Sequence, residues 1–357
     1  MYETQELYQM LEYIDRGLFT PTPKLMEQFG SITTFKIKEG KKLPDSVSLL
    51  SSVSTVVLNE TYDGDPRLIV QAGRFPKAKK LVCNHAYHVS IDNSAFMEGL
   101  DALPELEELE LISNRWGSLK GFPTLPHLKK LDICGNFFNE FTPLSGNAVQ
   151  ELNAENNPVS GLNYDGMEAL EKLNLHSTSY RDENTAQLSR AKGLRELNIT
   201  NTYISSLDFL RGMTEMDTLS IGYNVRDLSP IESLKKIRDL TVIMDLHQSI
   251  DGMEVLSKLP CLRKLRITGV PESLTELENT TVEELVLEGN FSKAQLQPLQ
   301  SMPKLQSLTL VTKGRQPDLS ELENTNIEEL VLRGNFSKDQ LSPLRNIQTL
   351  KSCRLNG

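Results

Sequence analysis

The chain has 357 residues, of which 38% are hydrophobic and 24% charged, and its formal net charge is −10. Acidic and basic residues are interspersed, so the sequence has no basic cluster of the kind that binds nucleic acid. No apolar run is long enough for a transmembrane helix, and the first ten residues lack the basic and apolar regions of a signal peptide. We therefore expect no nucleic-acid or membrane partner and a cytoplasmic protein. Export by a route that leaves no classical signal is the alternative.

The first 28 residues do not follow the pattern of the rest of the chain. Apolar residues recur at helical spacing, at Leu7, Met10, Leu11, Ile14 and Leu18, with Thr4 placed to be an N-cap and Gly17 near the end. This spacing predicts a helical cap, residues 1–28, over the exposed end of a repeat domain, residues 29–357. An amphipathic helix that binds a partner is the alternative.

The rest of the chain repeats itself. The stretch 275–299 returns as 320–344 with nineteen of twenty-five positions identical. Each copy contains one short pattern, Val282-x-x-Leu285-x-Leu287 in the first and Ile327-x-x-Leu330-x-Leu332 in the second. The same pattern recurs about every twenty to twenty-eight residues, and such self-similarity is typical of solenoid proteins. We call each occurrence a rung. The rungs begin at residues 32, 53, 78, 106, 128, 149, 170, 194, 216, 237, 262, 282, 305, 327 and 350.

Each rung predicts one short strand and one outer turn. Apolar residues alternate with polar ones in the strand, so one face is buried, and a strand this short requires neighbours on both sides. Prolines and three-residue leucine spacing in segments such as 228–234 and 341–344 favour 3₁₀ turns over long helices. The sequence therefore predicts an α/β fold: a right-handed solenoid of about fifteen rungs, shaped like a horseshoe. Its parallel β-sheet would be concave, its convex side would be 3₁₀ or irregular, and a helix would cap its N-terminus.

Asparagine recurs just after the predicted strands, at Asn114, Asn136, Asn157, Asn224, Asn290 and Asn335. A buried side-chain amide can satisfy backbone groups that lose their sheet partners where the chain turns inward. We expect these amides to be buried. In three other rungs Asp245, Val270 and Lys313 occupy this position instead of asparagine. These exceptions predict distortion over residues 243–276 and 311–320.

This pattern resembles leucine-rich repeats, in the short bacterial, internalin-like form of about twenty-two residues, and it covers residues 32 to 355. The resemblance implies a horseshoe whose concave face binds another protein. Because no signal peptide, immunoglobulin-like joining domain or wall anchor is recognised in this sequence, we expect the chain to depart from internalins in these features.

The residues between the strand leucines are expected to face the concave side. At the second residue after the first apolar position, the charge alternates in sign from rung to rung, through Lys80, Glu108, Lys130, Glu151, Lys172 and Glu196. This alternation predicts either a charged docking strip or a ladder of charges that neutralise one another. The central positions are mostly small and polar. This composition fits either a protein-binding surface or merely a soluble one. The predicted partner-binding residues are Asp132, Asn153, Glu155, Asn174, His176, Asn198, Thr200, Tyr203, Ser220, Tyr223 and Arg266.

Aromatic residues divide by their position in the repeat. Trp116, Phe138 and Tyr180 occupy a position that the repeat buries, so we expect them in the core. Tyr203 and Tyr223 lie nearer the strand ends and are predicted to be exposed anchors for a partner.

No catalytic motif is present, and no cofactor or metal ligand set is recognised. Phosphate-binding glycine loops, G-x-S-x-G and H-E-x-x-H are all missing from the sequence. His85 and His88 share a loop without a third ligand, and the four cysteines fit neither a metal cluster nor a disulfide framework. We expect reduced thiols and a protein that is not an enzyme.

Three hypotheses for function remain. The first is a non-catalytic module that holds a partner protein, of unknown identity, as scaffold, inhibitor or effector. The second is an activator of a partner enzyme such as a GTPase or phosphatase, in which an arginine such as Arg266 enters the active site of the partner. The third is a self-assembling repeat protein, with a homodimer formed through the bare C-terminal rung at residues 350–355.

Overall fold

The computed structural model describes residues 4–37, 43–58, 67, 69–71, 73–85, 93–163, 165–245, 250–314 and 317–356. These residues form two compact units, Met1–Asn174 and Leu175–Gly357, which are described in turn. Fifteen strands, six α-helices and a series of short 3₁₀ turns make up the described part of the chain.

Two helices open the first unit. Helix α1 spans Thr4–Asp15, as the spacing from Leu7 to Ile14 predicts, whereas Leu18 lies beyond the helix and is 70% exposed. Helix α2 spans Pro23–Phe29. Thr22 caps α2 by accepting a hydrogen bond from the Leu25 N–H at 3.3 Å, and proline begins the helix.

Helix α1 packs on the first strand of the sheet. The Tyr8 ring stacks on Phe35 with 5.4 Å between centroids. The Asp15 carboxylate accepts hydrogen bonds from the N–H groups of Asp45 and Ser46, at 2.7 and 2.8 Å, where the first 3₁₀ turn begins. The helix therefore covers apolar side chains at this end of the unit, which the repeat itself leaves open.

The first unit contains seven parallel strands, each paired with the next one in the sequence. They are β1 Thr34–Ile37, β2 Thr55–Leu58, β3 Lys80–Cys83, β4 Glu108–Glu110, β5 Lys130–Asp132, β6 Glu151–Asn153 and β7 Lys172–Asn174. Helix α3 spans Ser94–Gly99, and 3₁₀ turns span Asp45–Leu49, Leu100–Ala102, Thr142–Leu144 and Asp165–Ala169.

The second unit contains eight strands with the same parallel pairing. They are β8 Glu196–Ile199, β9 Thr218–Ile221, β10 Asp239–Ile243, β11 Lys264–Thr268, β12 Glu284–Glu288, β13 Ser307–Val311, β14 Glu329–Arg333 and β15 Ser352–Asn356. Helices α4 Thr185–Leu188, α5 Lys293–Leu296 and α6 Lys338–Leu341 are single turns. The 3₁₀ turns span Asp182–Asn184, Asp208–Leu210, Ser229–Ser233, Met253–Lys258, Thr275–Leu277, Gln297–Ser301, Ser320–Leu322 and Ser342–Asn346.

The core of each unit follows directly from the repeat. The pattern leucines of every rung point to one side of the sheet, where the leucines of the 3₁₀ turns meet them. Most of them are nearly inaccessible to water, as Leu131, Leu144, Leu265 and Leu277 illustrate, whereas in the last rung Leu350 is half-buried and Leu355 is 56% exposed. Each leucine buried in this way contributes about 1.5–3 kcal/mol relative to exposure. The distortion predicted over 243–276 does not reach the sheet, because β10, β11 and β12 pair in unbroken register over five residues each.

The asparagine column is confirmed in the first unit. Asn114, Asn136 and Asn157 are all buried. The Asn136 Nδ2 donates to the carbonyls of Leu111 at 2.6 Å and Ile133 at 2.9 Å, and its Oδ1 accepts from the Asn114 N–H at 3.0 Å. One side chain thus joins two rungs.

The prediction is wrong for Asn290 and Asn335, which are exposed, and Asn224 is only half-buried. The residue before each buried asparagine has a left-handed backbone, with φ of 68° at Gly135. Gly289 does not share that conformation, and Gly334 has φ of 141°. The side chains of the asparagines that follow these glycines, Asn290 and Asn335, therefore point to solvent. Phe291 takes the buried position after Asn290 instead.

Candidate protein-binding surface

The solvent-facing side of the first unit carries the predicted ladder of alternating charge. The Lys80 ammonium lies 3.2 Å from the Glu108 carboxylate and also contacts Glu110. Glu151 lies between Lys130 at 3.4 Å and Lys172 at 4.0 Å. These charges satisfy one another, which favours the self-neutralising interpretation of the ladder over a charged docking strip.

Beside the ladder, four predicted site residues form one hydrogen-bonded chain. The Asn153 Nδ2 donates to Asp132 Oδ2 at 3.0 Å, the Glu155 N–H donates to Asn153 Oδ1 at 3.2 Å, and the Asn174 Nδ2 donates to Glu155 Oε2 at 2.9 Å. All four residues are half-buried. Because each fixes its neighbour, they present polar atoms in defined positions, at little further entropy cost on binding.

Asp132, the first residue of these four, has a carboxyl whose pKa is shifted by its surroundings. Burial raises the pKa of its carboxyl above the ordinary value of 3.8, and the nearby carboxylates of Glu110 and Glu155 act in the same direction. Hydrogen bonds from the Cys134 N–H and from Asn153 oppose the shift in pKa without cancelling it.

We expect Asp132→Asn to change the pH dependence of stability. A carboxyl whose pKa is raised by folding contributes stability below its unfolded pKa, and this contribution is lost as pH rises through the folded pKa. The free energy of unfolding of the variant, relative to the original chain, should therefore increase as pH rises from about 3 to about 7. Denaturant titration across this range measures the difference. A difference that is constant or falls with pH would contradict the assignment.

In the second unit, a shorter chain of hydrogen bonds holds His176. The Thr200 hydroxyl donates to Asn198 Oδ1 at 2.6 Å and so accepts from His176 Nδ1, also at 2.6 Å. Thr200 is only 5% exposed, so its part here is to orient His176 and Asn198. Ser220 lies opposite Asn198 on the neighbouring strand and is half-buried.

Exposed aromatic residues lie where β8 and β9 end. Tyr203 is 55% exposed, and the Arg181 guanidinium lies over its ring at 4.6 Å from the centroid. Tyr223 is 41% exposed, and its hydroxyl donates to Asn201 Oδ1 at 3.4 Å. The Asn201 Nδ2 in turn donates to Ser177 Oγ at 2.8 Å. We call Arg181, Asn201, Tyr203 and Tyr223 the aromatic edge.

Sequence reasoning missed the exposed aromatic residues of the first unit, of which Phe137 lies beside the sheet. Phe137 is 60% exposed, whereas the adjacent Phe138 is completely buried, as predicted. Trp116 and Tyr180 are also in the core, as their repeat position indicates. Phe137 directly follows the buried Asn136, whereas Phe291, in the same Gly-Asn-Phe sequence, is buried, so the local sequence gives no signal that identifies Phe137.

The other predicted features are distributed more widely. Arg266 is exposed on β11, and Cys353 and Leu355 are exposed on the edge strand β15. Dimerisation through β15 stays a prediction. All four cysteines are free thiols, and burial raises the pKa of Cys83 to about 12, which makes it a poor nucleophile.

Two kinds of site were not found in the part of the chain that the structure describes. No group of three or more histidine, cysteine, aspartate and glutamate side chains there could hold a metal ion. His88, which shares a predicted loop with His85, lies outside the described residues. Among the same residues, none of the helices combines the length and apolar character needed to cross a bilayer.

Comparison with known proteins gives structural matches only. No family model and no curated protein matches the sequence. Among solved structures, the functional domain of InlJ from Listeria monocytogenes is similar at 14% identity and a TM-score of 0.52, over 90% of this chain and 73% of that one. The internalin InlF from the same species covers 98% of this chain and 94% of its own at 15% identity, with a TM-score of 0.46.

The parallel strands, one per rung, together with the match to InlJ decide the fold class. The chain has a leucine-rich repeat fold. The internalin-like architecture predicted from the repeat pattern is thereby confirmed. The InlJ domain is described as including a cysteine ladder. The cysteines of this leucine-rich repeat chain lie on rungs that are not adjacent, at positions 83, 134, 261 and 353.

Proposed function

We propose that this leucine-rich repeat protein is a non-catalytic interaction module, which binds a partner protein on the solvent-facing side of its sheet. Repeat folds of this kind generally provide extended surfaces for binding other proteins. The observation that carries the proposal is the aromatic edge, where large aromatic side chains are exposed on a rigid scaffold.

Tyrosine and arginine are the residue types that dominate the binding energy of protein interfaces. In the aromatic edge they are already held in place. The backbone N–H of Tyr203 donates to the Tyr180 carbonyl at 2.8 Å, and Arg181 lies over the Tyr203 ring. Less side-chain entropy is therefore lost when a partner covers them. The hydrogen-bonded pair of His176 and Thr200 supplies polar groups in the same unit.

We expect the double change Tyr203→Ala and Tyr223→Ala to weaken partner binding strongly. Truncation of an interface hot spot typically costs about 2 kcal/mol or more, so the dissociation constant should rise by about thirtyfold. A partner captured from cell extract and purified would be titrated against each variant by calorimetry.

Tyr13→Ala is the matched control, because Tyr13 is exposed to the same extent as Tyr223 but lies on α1. Its affinity should equal that of the original chain. Equal affinity for the double variant as well would show that the aromatic edge takes no part in binding.

A further inference from the structure

The solvent-facing side of the sheet changes composition at β11. On the three preceding strands, the central position is small and polar, with Asn198, Ser220 and Thr241 in register. From β11 onward, the same position is occupied by Arg266, Val286, Thr309, Val331 and Arg354, each directly opposite the next. We call these five side chains the arginine–valine row.

The row has an apolar middle and a cation at each end. Val286, Thr309 and Val331 are half-buried, so part of their apolar surface still contacts water. Arg266 and Arg354 are exposed. Because neighbouring strands are about 4.8 Å apart, four strand spacings separate the two arginines by about 19 Å.

Arg266 and Arg354 differ from most of the cations around them. Neighbouring lysines and arginines are ion-paired, Lys264 with Glu284 at 2.8 Å, Arg263 with Glu283 at 3.2 Å and Lys351 with Glu328 at 2.7 Å. Among the residues that the structure describes, the guanidinium groups of Arg266 and Arg354 form no hydrogen bond and no ion pair within 4.0 Å; Arg266 interacts only at longer range with the Asp239 carboxylate. Arg333, at the next outward position on β14, is likewise exposed and without an ion pair among those residues.

The chemistry of the row defines its ligand. Guanidinium groups bind carboxylates through paired hydrogen bonds, and partly exposed valines gain stability when apolar side chains cover them. A polyanion such as RNA would approach a chain of net charge −10 against long-range repulsion, whereas a short segment with few charges would not.

We infer that the arginine–valine row binds a short segment of a partner protein, in which apolar side chains are flanked at both ends by acidic ones. This inference rests on the proposed function and specifies the chemistry of the partner. The acidic groups pair with Arg266 and Arg354, and the apolar residues cover Val286 and Val331.

Selection from a displayed library of random peptides tests the inference and does not require the partner to be identified. Peptides of about 12 residues are long enough, because a helix of that length spans about 18 Å. The full chain is immobilised, bound peptides are sequenced, and the enriched ones are synthesised with a fluorophore for anisotropy titration. We expect enriched peptides to have an apolar centre and aspartate or glutamate at both ends.

Charge reversal then locates the binding site. The double variant R266E/R354E should raise the dissociation constant of an enriched peptide at least about tenfold. The matched control, Arg263→Glu, reverses an arginine just before β11 that is already ion-paired, and should change the constant less than about twofold. A peptide with lysines in place of its acidic ends should bind R266E/R354E better than the original chain, which an unfolded variant could not do.

The remaining outcomes would overturn the inference. These are the enrichment of neutral or basic peptides, or acidic peptides whose affinity is unchanged in R266E/R354E. Peptides that bind R266E/R354E as tightly as the original chain, but bind the double variant of Tyr203 and Tyr223 more weakly, would overturn this inference and still support the proposed function. Failure to enrich any peptide would contradict peptide binding at the arginine–valine row, while the calorimetric test of the aromatic edge would be unaffected.

Discussion

Replacing Phe138 with alanine is expected to lower the free energy of unfolding by about 3–5 kcal/mol, the usual cost of removing a buried phenylalanine ring. Phe138 is completely buried, and its backbone N–H donates to the buried amide of Asn157 at 3.0 Å. A cavity beneath this rung would therefore disturb the contact between neighbouring rungs. Chemical denaturation measures the loss.

The adjacent residue supplies a control of the same type. Phe137 is 60% exposed, so Phe137→Ala should change stability by less than about 0.5 kcal/mol. The two variants differ by one position and have the same composition. Equal losses of stability in both would mean that the burial assigned to this turn is wrong.

A second large effect is expected from Asn136→Ala, about 3 kcal/mol of destabilisation. The alanine removes donors to the carbonyls of Leu111 and Ile133 and an acceptor for the N–H groups of Asn114 and Trp116. These backbone groups are buried, and a buried polar group without a partner costs about 1–3 kcal/mol. The losses are not additive, because all the bonds involve one side chain.

Asn290→Ala is the control for this prediction. Asn290 stands in the same Gly-Asn-Phe sequence as Asn136, but its side chain is exposed. Its replacement should alter the free energy of unfolding by less than about 0.5 kcal/mol. Thermal denaturation of both variants in parallel distinguishes a column that is structural throughout from one that is structural only in the first unit.

The fold could be predicted because the repeat constrains it many times over. Each rung places apolar residues, mostly leucines, two residues apart in the strand, and a chain of such units has few ways to bury them. Helix α1 followed from spacing in the same way. Helix α2 was not predicted, although Thr22 and Pro23 form a recognisable helix start.

The identical tripeptides at Asn136 and Asn290 show where sequence reasoning fails. Glycine precedes both asparagines, and glycine adopts left-handed and right-handed backbone conformations with similar ease. The sequence therefore does not decide which side of the turn the next side chain occupies. Tertiary packing decides it, through Phe138 at one turn and Phe291 at the other.

The candidate site was only partly predictable for a related reason. Alternation within each strand shows which residues face solvent, so Asn153, Asn198 and Ser220 could be assigned to the surface. The interactions between rungs depend on register and on side-chain rotamers. The placement of Arg181 over Tyr203 and the lack of an ion pair for Arg266 beside paired charges emerged only from the structure.

Oxidative footprinting of the chain with and without its partner tests the central proposal most directly. Hydroxyl radicals modify exposed tyrosines, and mass spectrometry reports the extent at Tyr13, Tyr203 and Tyr223 separately. If the partner binds the solvent-facing side of the sheet at the aromatic edge, oxidation of Tyr203 and Tyr223 should fall sharply while that of Tyr13 stays the same. Protection of Tyr13 with no change at Tyr203 and Tyr223 would contradict the proposal.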